Sequence, residues 1–354
     1  MKTLFKKSVL DLDGYTAPPQ HQVEAKLNQN ENPFDIPAEL KQKIFQQASQ
    51  IEWNRYPTYE SPRIRENLAK LYDVHPNQIV LGSGSNQLLV ILLSAILDSS
   101  KSVLFCPPTF GLFEHYSSIY QANIIRVYRA PGQDFPIKEV EREIRLKKPE
   151  LLLLDSPTNP TGAEIPVAMI EKICEISSGL ILVDEAYAEF CDNSVLPFIK
   201  RFPNLIISRT FSKAFSLAGM RFGYMVGDEK VVEQLRKVNI PYNINLFTEL
   251  VVNTLLENRS ALEGNIRFIK TERQWLYEQL CAIPNITVYP SSANFLLMKV
   301  PDGKGVFQGL KGEGVLVRDV GSYPLLKDHL RVNVGTHEEN CIFIDKLKSV
   351  ISTF

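Results

Sequence analysis

A lysine with hydroxyls and an arginine at fixed spacings is the most informative feature of the sequence. Lys213 follows Thr210 and Ser212 and precedes Arg221, directly behind the apolar segment 205–208. An amine can condense with an aldehyde as a Schiff base, while hydroxyls and a guanidinium hold a phosphate dianion. The run therefore suits an aldehyde cofactor that carries a phosphate, and pyridoxal phosphate fits that description. A solvated lysine on a loop would explain Lys213 by itself, so the interpretation depends on further motifs.

A second motif places an acid at the end of an apolar segment. Residues 180–183 are all apolar and predict a buried parallel strand that ends at Asp184. A carboxylate buried there requires a cation or a proton, and a pyridinium N–H is a sufficient cation. Asp184 would then keep a pyridine ring protonated, and Tyr187 could reach the phenolic oxygen of that ring. The alternative is that Asp184 only caps a helix after the strand.

Two other strand ends carry candidate ligands. Residues 151–154 predict a buried strand, and two prolines stiffen the loop that follows and holds Asn159. Its amide could donate to the same phenolic oxygen, although an ordinary turn would also use Asn-Pro. The segment 78–87 predicts a strand, a glycine-rich turn and a helix start, where the N–H groups near Gly84, Ser85 and Asn86 form an anion site. This turn matches neither a Walker loop nor a dinucleotide fingerprint.

Arg318 and Arg331 each follow apolar residues near the end of a predicted strand in the last part of the chain. Guanidinium groups bind carboxylate or phosphate through two parallel hydrogen bonds, so the pair could hold the anionic end of a substrate. Surface salt bridges would explain either arginine taken alone.

These residues must be positioned by alternating strands and helices. Between about residue 30 and residue 255, strands are predicted at 79–81, 102–106, 151–154, 180–183, 205–208 and 222–226. This alternation predicts an α/β fold with a largely parallel sheet covered by helices on both faces, and active residues belong at the carboxyl ends of its strands. We predict a large domain at 30–255. A smaller α+β domain would combine 1–29 with 256–354, with a helical link at 246–280, strands near 286–288, 294–300, 314–317 and 330–334, and a closing helix from Glu338.

Composition favours a soluble enzyme. The 354 residues are 44% hydrophobic, which is enough for a large core, and 39 basic against 40 acidic residues give a net charge of −1. A neutral balance gives no electrostatic footprint for nucleic acid or an acidic membrane. Five cysteines without a Cys-x-x-Cys pair, and no evident signal peptide, predict a cytoplasmic protein with reduced thiols. The five histidines show no metal-ligand spacing, so no metal is predicted.

Taken together, the motifs resemble the fold-type I pyridoxal-phosphate enzymes, the superfamily of aspartate aminotransferase, over nearly the whole chain. Within that superfamily the sequence is similar to the class-II histidinol-phosphate aminotransferase family. The segments that carry this resemblance are 27–33, 55–57, 106–111, 317–319 and 330–336. The resemblance implies that Phe110 stacks on the pyridine ring and that Tyr56 reaches the cofactor phosphate of a dimer partner. It also implies a substrate pocket lined by Tyr15, Asn30, Asn159, Arg318 and Arg331.

The implied reaction is transamination in histidine biosynthesis, from L-histidinol phosphate to 2-oxoglutarate, with Lys213 moving the proton. Burial and Arg221 are expected to lower the pKa of Lys213. Three alternatives remain open: an aromatic or broad-range aminotransferase, a threonine-phosphate decarboxylase of the same fold, and a non-catalytic cofactor-binding module. A nicotinamide dehydrogenase is disfavoured because Gln87 occupies the place of the third glycine.

Overall fold

The computed structural model describes residues 4–12, 14 and 23–353. Its strands are β1 (Ala25–Lys26), β2 (Ile79–Gly82), β3 (Ser102–Phe105), β4 (Asn123–Arg126), β5 (Leu151–Asp155), β6 (Leu180–Asp184), β7 (Leu205–Thr210), β8 (Gly223–Gly227), β9 (Thr287–Tyr289), β10 (Phe295–Lys299), β11 (Val315–Leu316), β12 (Arg318–Asp319) and β13 (His329–Asn333). Its helices are α1 (Lys7–Leu10), α2 (Ala38–Ala48), α3 (Pro62–Tyr72), α4 (Ser85–Ile96), α5 (Leu112–Ile119), α6 (Ile137–Lys147), α7 (Val167–Ile176), α8 (Glu229–Val238), α9 (Leu246–Glu257), α10 (Glu263–Cys281), α11 (Gly303–Gly312) and α12 (His337–Ile351).

A seven-stranded sheet forms the centre of the molecule, in the order β2-β8-β7-β6-β5-β3-β4. The neighbours from β7 to β4 are parallel, and β8 is antiparallel to both β7 and β2. This confirms the predicted α/β fold with a largely parallel sheet, and the six predicted strands are present. Strand β4 was not predicted, because this edge strand begins with Asn123 and ends with Arg126, both exposed.

Helices cover both faces of this sheet, as its apolar strands require. Along β5, Leu152 and Leu154 belong to the hydrophobic core on one face, whereas Leu151 and Leu153 belong to the core on the other. A strand with two buried faces is apolar at nearly every position, which is why the run of four leucines predicted it correctly. Because both faces are filled, the carboxyl ends of the strands are where side chains can meet a ligand.

A second sheet, antiparallel and four-stranded, has the order β12-β13-β10-β9. The prediction that residues 314–317 belong to this small sheet was wrong. Within that segment, β11 pairs in parallel with β1 in a separate two-stranded sheet. The pairing has a clear cause, since Ala25 and Leu27 bury their apolar side chains completely in the core beneath it.

The helical stretch predicted at 246–280 is two helices, α9 and α10, joined by a 3-10 turn at Arg259–Leu262. Helix α10 connects the two sheets, because Ile269 lies in the core of the large sheet and Leu276 and Leu280 lie in the core of the small one. The domain division at residue 255 stays a prediction. Among the described helices, none combines the length and the apolar character needed to cross a membrane.

Candidate active site

A cavity of about 1040 Å³ opens at the carboxyl ends of the central strands. The last residues of β5, β6 and β7 are Asp155, Asp184 and Thr210, and all three line it. The predicted site residues that line the cavity are Asn30, Ser85, Asn86, Phe110, Asn159, Asp184, Tyr187, Thr210, Ser212, Lys213, Arg221, Arg318 and Arg331. The structure therefore brings together residues that lie more than 300 positions apart in the sequence.

One end of the cavity is a group of anion donors around the glycine loop. Gly84 has a φ of 81°, a conformation that favours glycine, and the 12-residue helix α4 begins after it without a side-chain cap. The backbone N–H groups of Ser85 and Asn86 therefore remain available at the positive end of the helix dipole. A Cβ atom added to Gly84 would lie 2.6 Å from Nη2 of Arg221, so the guanidinium lies directly against this loop.

Hydroxyl groups extend the same donor group. Oγ1 of Thr210 lies 3.0 Å from Oγ of Ser212, and Nη1 of Arg221 donates to that Ser212 oxygen at 3.3 Å. Gly223 permits the close approach, because a Cβ atom there would lie 2.5 Å from the backbone nitrogen of Ser85. Two hydroxyls, one guanidinium and two helix N–H groups thus face the same end of the cavity, an arrangement suited to a phosphate dianion.

The carboxylate of Asp184 is buried and accepts a hydrogen bond from the backbone N–H of Ala186 at 3.0 Å. Burial, together with the neighbouring charge of Asp155, raises the pKa of Asp184 to about 7. A cationic N–H donor beside this buried carboxylate would lower its pKa and stabilise its ionised form. This observation matches the predicted pyridinium partner.

The side-chain oxygens of Tyr187 and Asn159 accept hydrogen bonds from neighbouring residues, so each side chain keeps a hydrogen-bond donor. The hydroxyl oxygen of Tyr187 accepts from Nδ2 of Asn30 at 2.8 Å, which leaves its own hydrogen to donate. Burial raises the pKa of Tyr187 to about 12, so that hydrogen is retained at neutral pH. Oδ1 of Asn159 accepts from Nη1 of Arg331 at 2.6 Å, which leaves the amide nitrogen of Asn159 as a donor.

Lys213 lies between these groups, and its Nζ donates to the backbone oxygen of Gln29 at 2.9 Å. Burial lowers the pKa of Lys213 to about 7, and the positive charges of Arg331 and Arg221 contribute to the same shift. The direction agrees with the sequence prediction, although Arg331 contributes more than Arg221. A lysine with this pKa is available as a neutral amine near pH 7, which both a nucleophile and a base require.

The two late arginines stand opposite each other in the small sheet, since Arg318 on β12 is the register partner of Arg331 on β13. Arg331 is fixed by Asn159, by the backbone oxygen of Asn28 at 3.0 Å and by the ring of Phe295, 5.3 Å from its guanidinium carbon. Both guanidinium groups line the cavity. The arrangement can hold a carboxylate or a phosphate in the cavity.

The donor set fits the predicted cofactor: a phosphate at the glycine loop, a cationic ring nitrogen at Asp184, a phenolic oxygen at Tyr187 and Asn159, and an aldehyde at Lys213. Phe110, which lines the cavity, offers an apolar ring for stacking. Within residues 4–12, 14 and 23–353, no group of three or more acidic, histidine or cysteine side chains could hold a metal ion.

Of the predicted residues that the structure describes, Gly84 and Tyr56 are not among those that line the cavity, although Gly84 directly precedes the N-terminus of α4. Tyr56 is 82% exposed and stacks on Tyr242, with ring centroids 4.8 Å apart, on the outer surface. Tyr15 lies outside the described residues. The predicted contribution of Tyr56 to a partner's site stays a prediction.

Sequence reasoning assigned no role to several residues that line the cavity, namely Gln29, His115, Asp155 and Tyr323. Asp155 could have been found, because it ends an apolar strand just as Asp184 does. His115 and Tyr323 carry no such signal, since helix α5 and the loop after β12 bring them to the cavity only through the tertiary fold.

A family model described as aminotransferase class I and II matches residues 23–347. A curated histidinol-phosphate aminotransferase from Chlorobaculum tepidum is 36% identical over 340 residues, which are 96% of this chain and 98% of that protein.

Solved structures share the fold. The histidinol-phosphate aminotransferase from Sinorhizobium meliloti, in complex with pyridoxal-5'-phosphate, superimposes with a TM-score of 0.87 at 20% identity and covers 99% of this chain and 98% of its own. The L-threonine-O-3-phosphate decarboxylase from Porphyromonas gingivalis gives a TM-score of 0.80 at 18% identity, with 93% of this chain and 99% of its own covered. At such identities the likeness establishes the fold alone, and it does not distinguish a transaminase from a decarboxylase.

Proposed function

Because the chain belongs to the class I and II aminotransferase family, we propose that it uses pyridoxal phosphate to transfer the amino group of L-histidinol phosphate to 2-oxoglutarate, a step of histidine biosynthesis. The observation that carries the proposal is the pair Arg318 and Arg331, which are register partners in the small sheet and both line the cavity. A transaminase binds its donor and its acceptor in turn at one site. Guanidinium groups can receive both a phosphate and a carboxylate, which these two substrates present.

The cofactor would be held by residues of four separate segments. Ser85, Asn86, Thr210, Ser212 and Arg221 would hold its phosphate. Asp184 would pair with the ring nitrogen, and Tyr187 and Asn159 would donate to the phenolic oxygen. Bound in this way, pyridoxal phosphate supplies an aldehyde that takes up amines and a ring that accepts electrons. The raised pKa of Asp184 supports this placement, because the carboxylate is stabilised when a cation lies beside it.

Lys213 is the proton carrier of the proposed reaction. With its pKa lowered to about 7, Nζ can take the proton from Cα of the bound amino donor in the first half-reaction and deliver a proton to Cα of the bound acceptor in the second. Arg331 holds the anionic group of the donor beside it, and the fixed contacts of Arg331 with Asn159 and Asn28 limit how far that group can move. Precise placement of Cα next to Nζ is what makes the proton transfer fast.

The substrate is tested by comparing kcat/KM across amino donors with 2-oxoglutarate as acceptor. We expect histidinol phosphate to exceed phenylalanine, tyrosine and phosphate-free histidinol. A higher kcat/KM for phenylalanine or tyrosine would replace this proposal with an aromatic aminotransferase. Release of carbon dioxide from threonine phosphate would replace it with the decarboxylase.

Arg318→Ala should weaken the binding of both substrates. Loss of a desolvated ion pair costs about 2–5 kcal/mol, so we expect kcat/KM to fall for histidinol phosphate and for 2-oxoglutarate alike. Phosphate-free histidinol should lose much less, because it has no anion for the guanidinium to bind. Arg142→Ala, on the exposed side of α6, is the matched control and should change neither value. An equal loss for histidinol and histidinol phosphate would show that Arg318 does not bind the phosphate.

We infer that two copies of the chain form a homodimer that shares its active sites. The exposed aromatic patch comprises Tyr56, Tyr59 and Tyr242, in which the rings of Tyr56 and Tyr59 both contact Tyr242 and the exposed fractions range from 46% to 82%. Large apolar side chains clustered on a surface are typical of an interface. In a two-fold dimer, Tyr56 of each copy would reach the cofactor phosphate of the other.

Mixing two inactive variants tests this shared site. Lys213→Ala and Tyr56→Ala should each have low activity, whereas subunit exchange forms hybrids that contain one site with both residues intact. Random assortment should restore about a quarter of wild-type activity. Absence of recovery, when native mass spectrometry shows that hybrids have formed, would contradict the shared site.

A further inference from the structure

Asp155 is a buried acid of the cavity whose contacts differ from those of Asp184. It ends strand β5, is 6% exposed and is the register partner of Asp184 on β6. Burial raises the pKa of Asp155 to about 6, although its hydrogen bonds oppose this shift. At neutral pH the group is therefore a carboxylate in which both oxygens accept hydrogen bonds.

Its two oxygens bind two loops that come from different parts of the chain. Oδ1 accepts from the hydroxyl of Thr109 at 2.6 Å. Oδ2 accepts from the backbone N–H of Phe110 at 3.2 Å and from the backbone N–H of Asn159 at 2.9 Å. A single carboxylate thus connects the loop after β3 to the loop after β5.

The same contacts continue to Arg331, which also lines the cavity. Asn159, whose backbone is held by Asp155, accepts from Nη1 of Arg331 through its side chain at 2.6 Å. A shift of the Asn159 loop would therefore move both the amide that faces the cavity and the guanidinium bonded to it.

We propose that Asp155 is a positioning residue, which fixes the ring of Phe110 and the side chain of Asn159 relative to each other and thereby holds Arg331 in place for the substrate. This inference rests on the proposed function of the site. Three charge-assisted hydrogen bonds to one carboxylate form a rigid connection, because each is stronger than a bond between neutral groups. Asp155 acts through Phe110, Asn159 and Arg331 and takes no part in the proton transfer.

Two substitutions separate this role from plain packing. Asp155→Leu keeps a side chain branched at Cγ, although a larger one, and removes both oxygens that accept the three hydrogen bonds. Asp155→Asn can keep all three hydrogen bonds. Its Oδ1 can accept from the backbone N–H groups of Phe110 and Asn159, while its Nδ2 donates to the hydroxyl oxygen of Thr109. The packing control is Cys106→Ala, since Cys106 is buried beside Asp155 in the same small void and makes no hydrogen bond to it.

The measurements are the Kd of each apoprotein for pyridoxal phosphate, the visible circular dichroism of the bound cofactor, and KM for both substrates. For Asp155→Leu we expect Kd and both KM values to rise about tenfold or more, because buried N–H groups lose their acceptor. The circular dichroism band should also change, since it reports the surroundings of the ring. Asp155→Asn should return Kd and KM to within about threefold of the wild type, and Cys106→Ala should lower thermal stability alone.

Unchanged Kd and KM in folded Asp155→Leu would overturn the inference, and so would an Asn variant as impaired as the Leu variant. If Asp155→Leu does not fold, Asp155→Ser serves as the second variant with the same expectations, because its shorter side chain does not reach the three donors. A wild-type protein that binds no pyridoxal phosphate would instead refute the proposed function. The two failures are therefore distinguishable.

Discussion

Lys213→Ala should reduce multiple-turnover transamination by about 10^4-fold or more, because the variant loses both the amine that carries the cofactor and the base that moves the proton. Pyridoxal phosphate should still bind, since Arg221, the N-terminus of α4 and Asp184 remain. The measurement is steady-state turnover of histidinol phosphate together with the bound cofactor content. Both are read from the same preparation.

The matched control is Lys230→Ala at the start of the surface helix α8, which should retain full activity. External amines offer a second check on the Lys213 variant. A small primary amine should restore part of the rate if the missing group is a base. Near-normal turnover in Lys213→Ala would mean that this lysine is only a buried structural amine.

Asp184→Asn should lower kcat by about 10^2- to 10^3-fold, the usual cost of removing one preorganised electrostatic group. An amide is neutral and cannot stabilise the protonated ring nitrogen as a carboxylate does. The fold should be kept, because the Asn side chain can still accept the N–H of Ala186. Turnover close to that of the wild type would show that Asp184 has a structural role only.

The same substitution, which should lower kcat, should raise the stability of the apoprotein at pH 8. The pKa of Asp184 is about 7 in the folded state against an ordinary value of 3.8, so the unfolded chain loses this proton first. The free energy of unfolding of the wild-type apoprotein therefore falls as pH rises from about 4 to about 7. Apo Asp184→Asn should be more stable than the apo wild type at pH 8 and similar to it at pH 4.

Thermal unfolding of both apoproteins at the two pH values measures this difference. Asp192→Asn is the control of opposite sign, because an ion pair with Lys270 lowers the pKa of exposed Asp192 and its loss should not stabilise the protein. A less stable Asp184→Asn apoprotein at pH 8 would mean that a cationic partner other than the cofactor compensates the carboxylate.

The parts of the fold that the sequence predicted are those encoded by local patterns. The apolar runs 151–154, 180–183 and 205–207 predicted three central strands, since strands buried on both faces are mostly apolar. Lys213 and Arg221 were predicted for a similar reason, because both residues lie within one short segment of the sequence. Phe110, Tyr56 and the Asn30 segment came only from the resemblance to a known family.

The parts that could not be predicted depend on contacts between distant segments. The register that sets Arg318 opposite Arg331, and the pairing of β11 with β1, are properties of the folded chain. The effect of Arg331 on the pKa of Lys213 is likewise invisible in the sequence, because the two residues are separated by a whole domain's length of chain. The strand end at Asp155 is visible in the sequence, but its contacts with Thr109 and Phe110 on another loop are not.

The central claim is that Lys213 is the amine that carries the cofactor. The most direct measurement is borohydride reduction of the protein loaded with pyridoxal phosphate, followed by proteolysis and mass spectrometry. The proposal predicts a reduced pyridoxyl-phosphate adduct on the peptide that contains Lys213. An adduct on another lysine, or none in a protein that binds the cofactor, would contradict it.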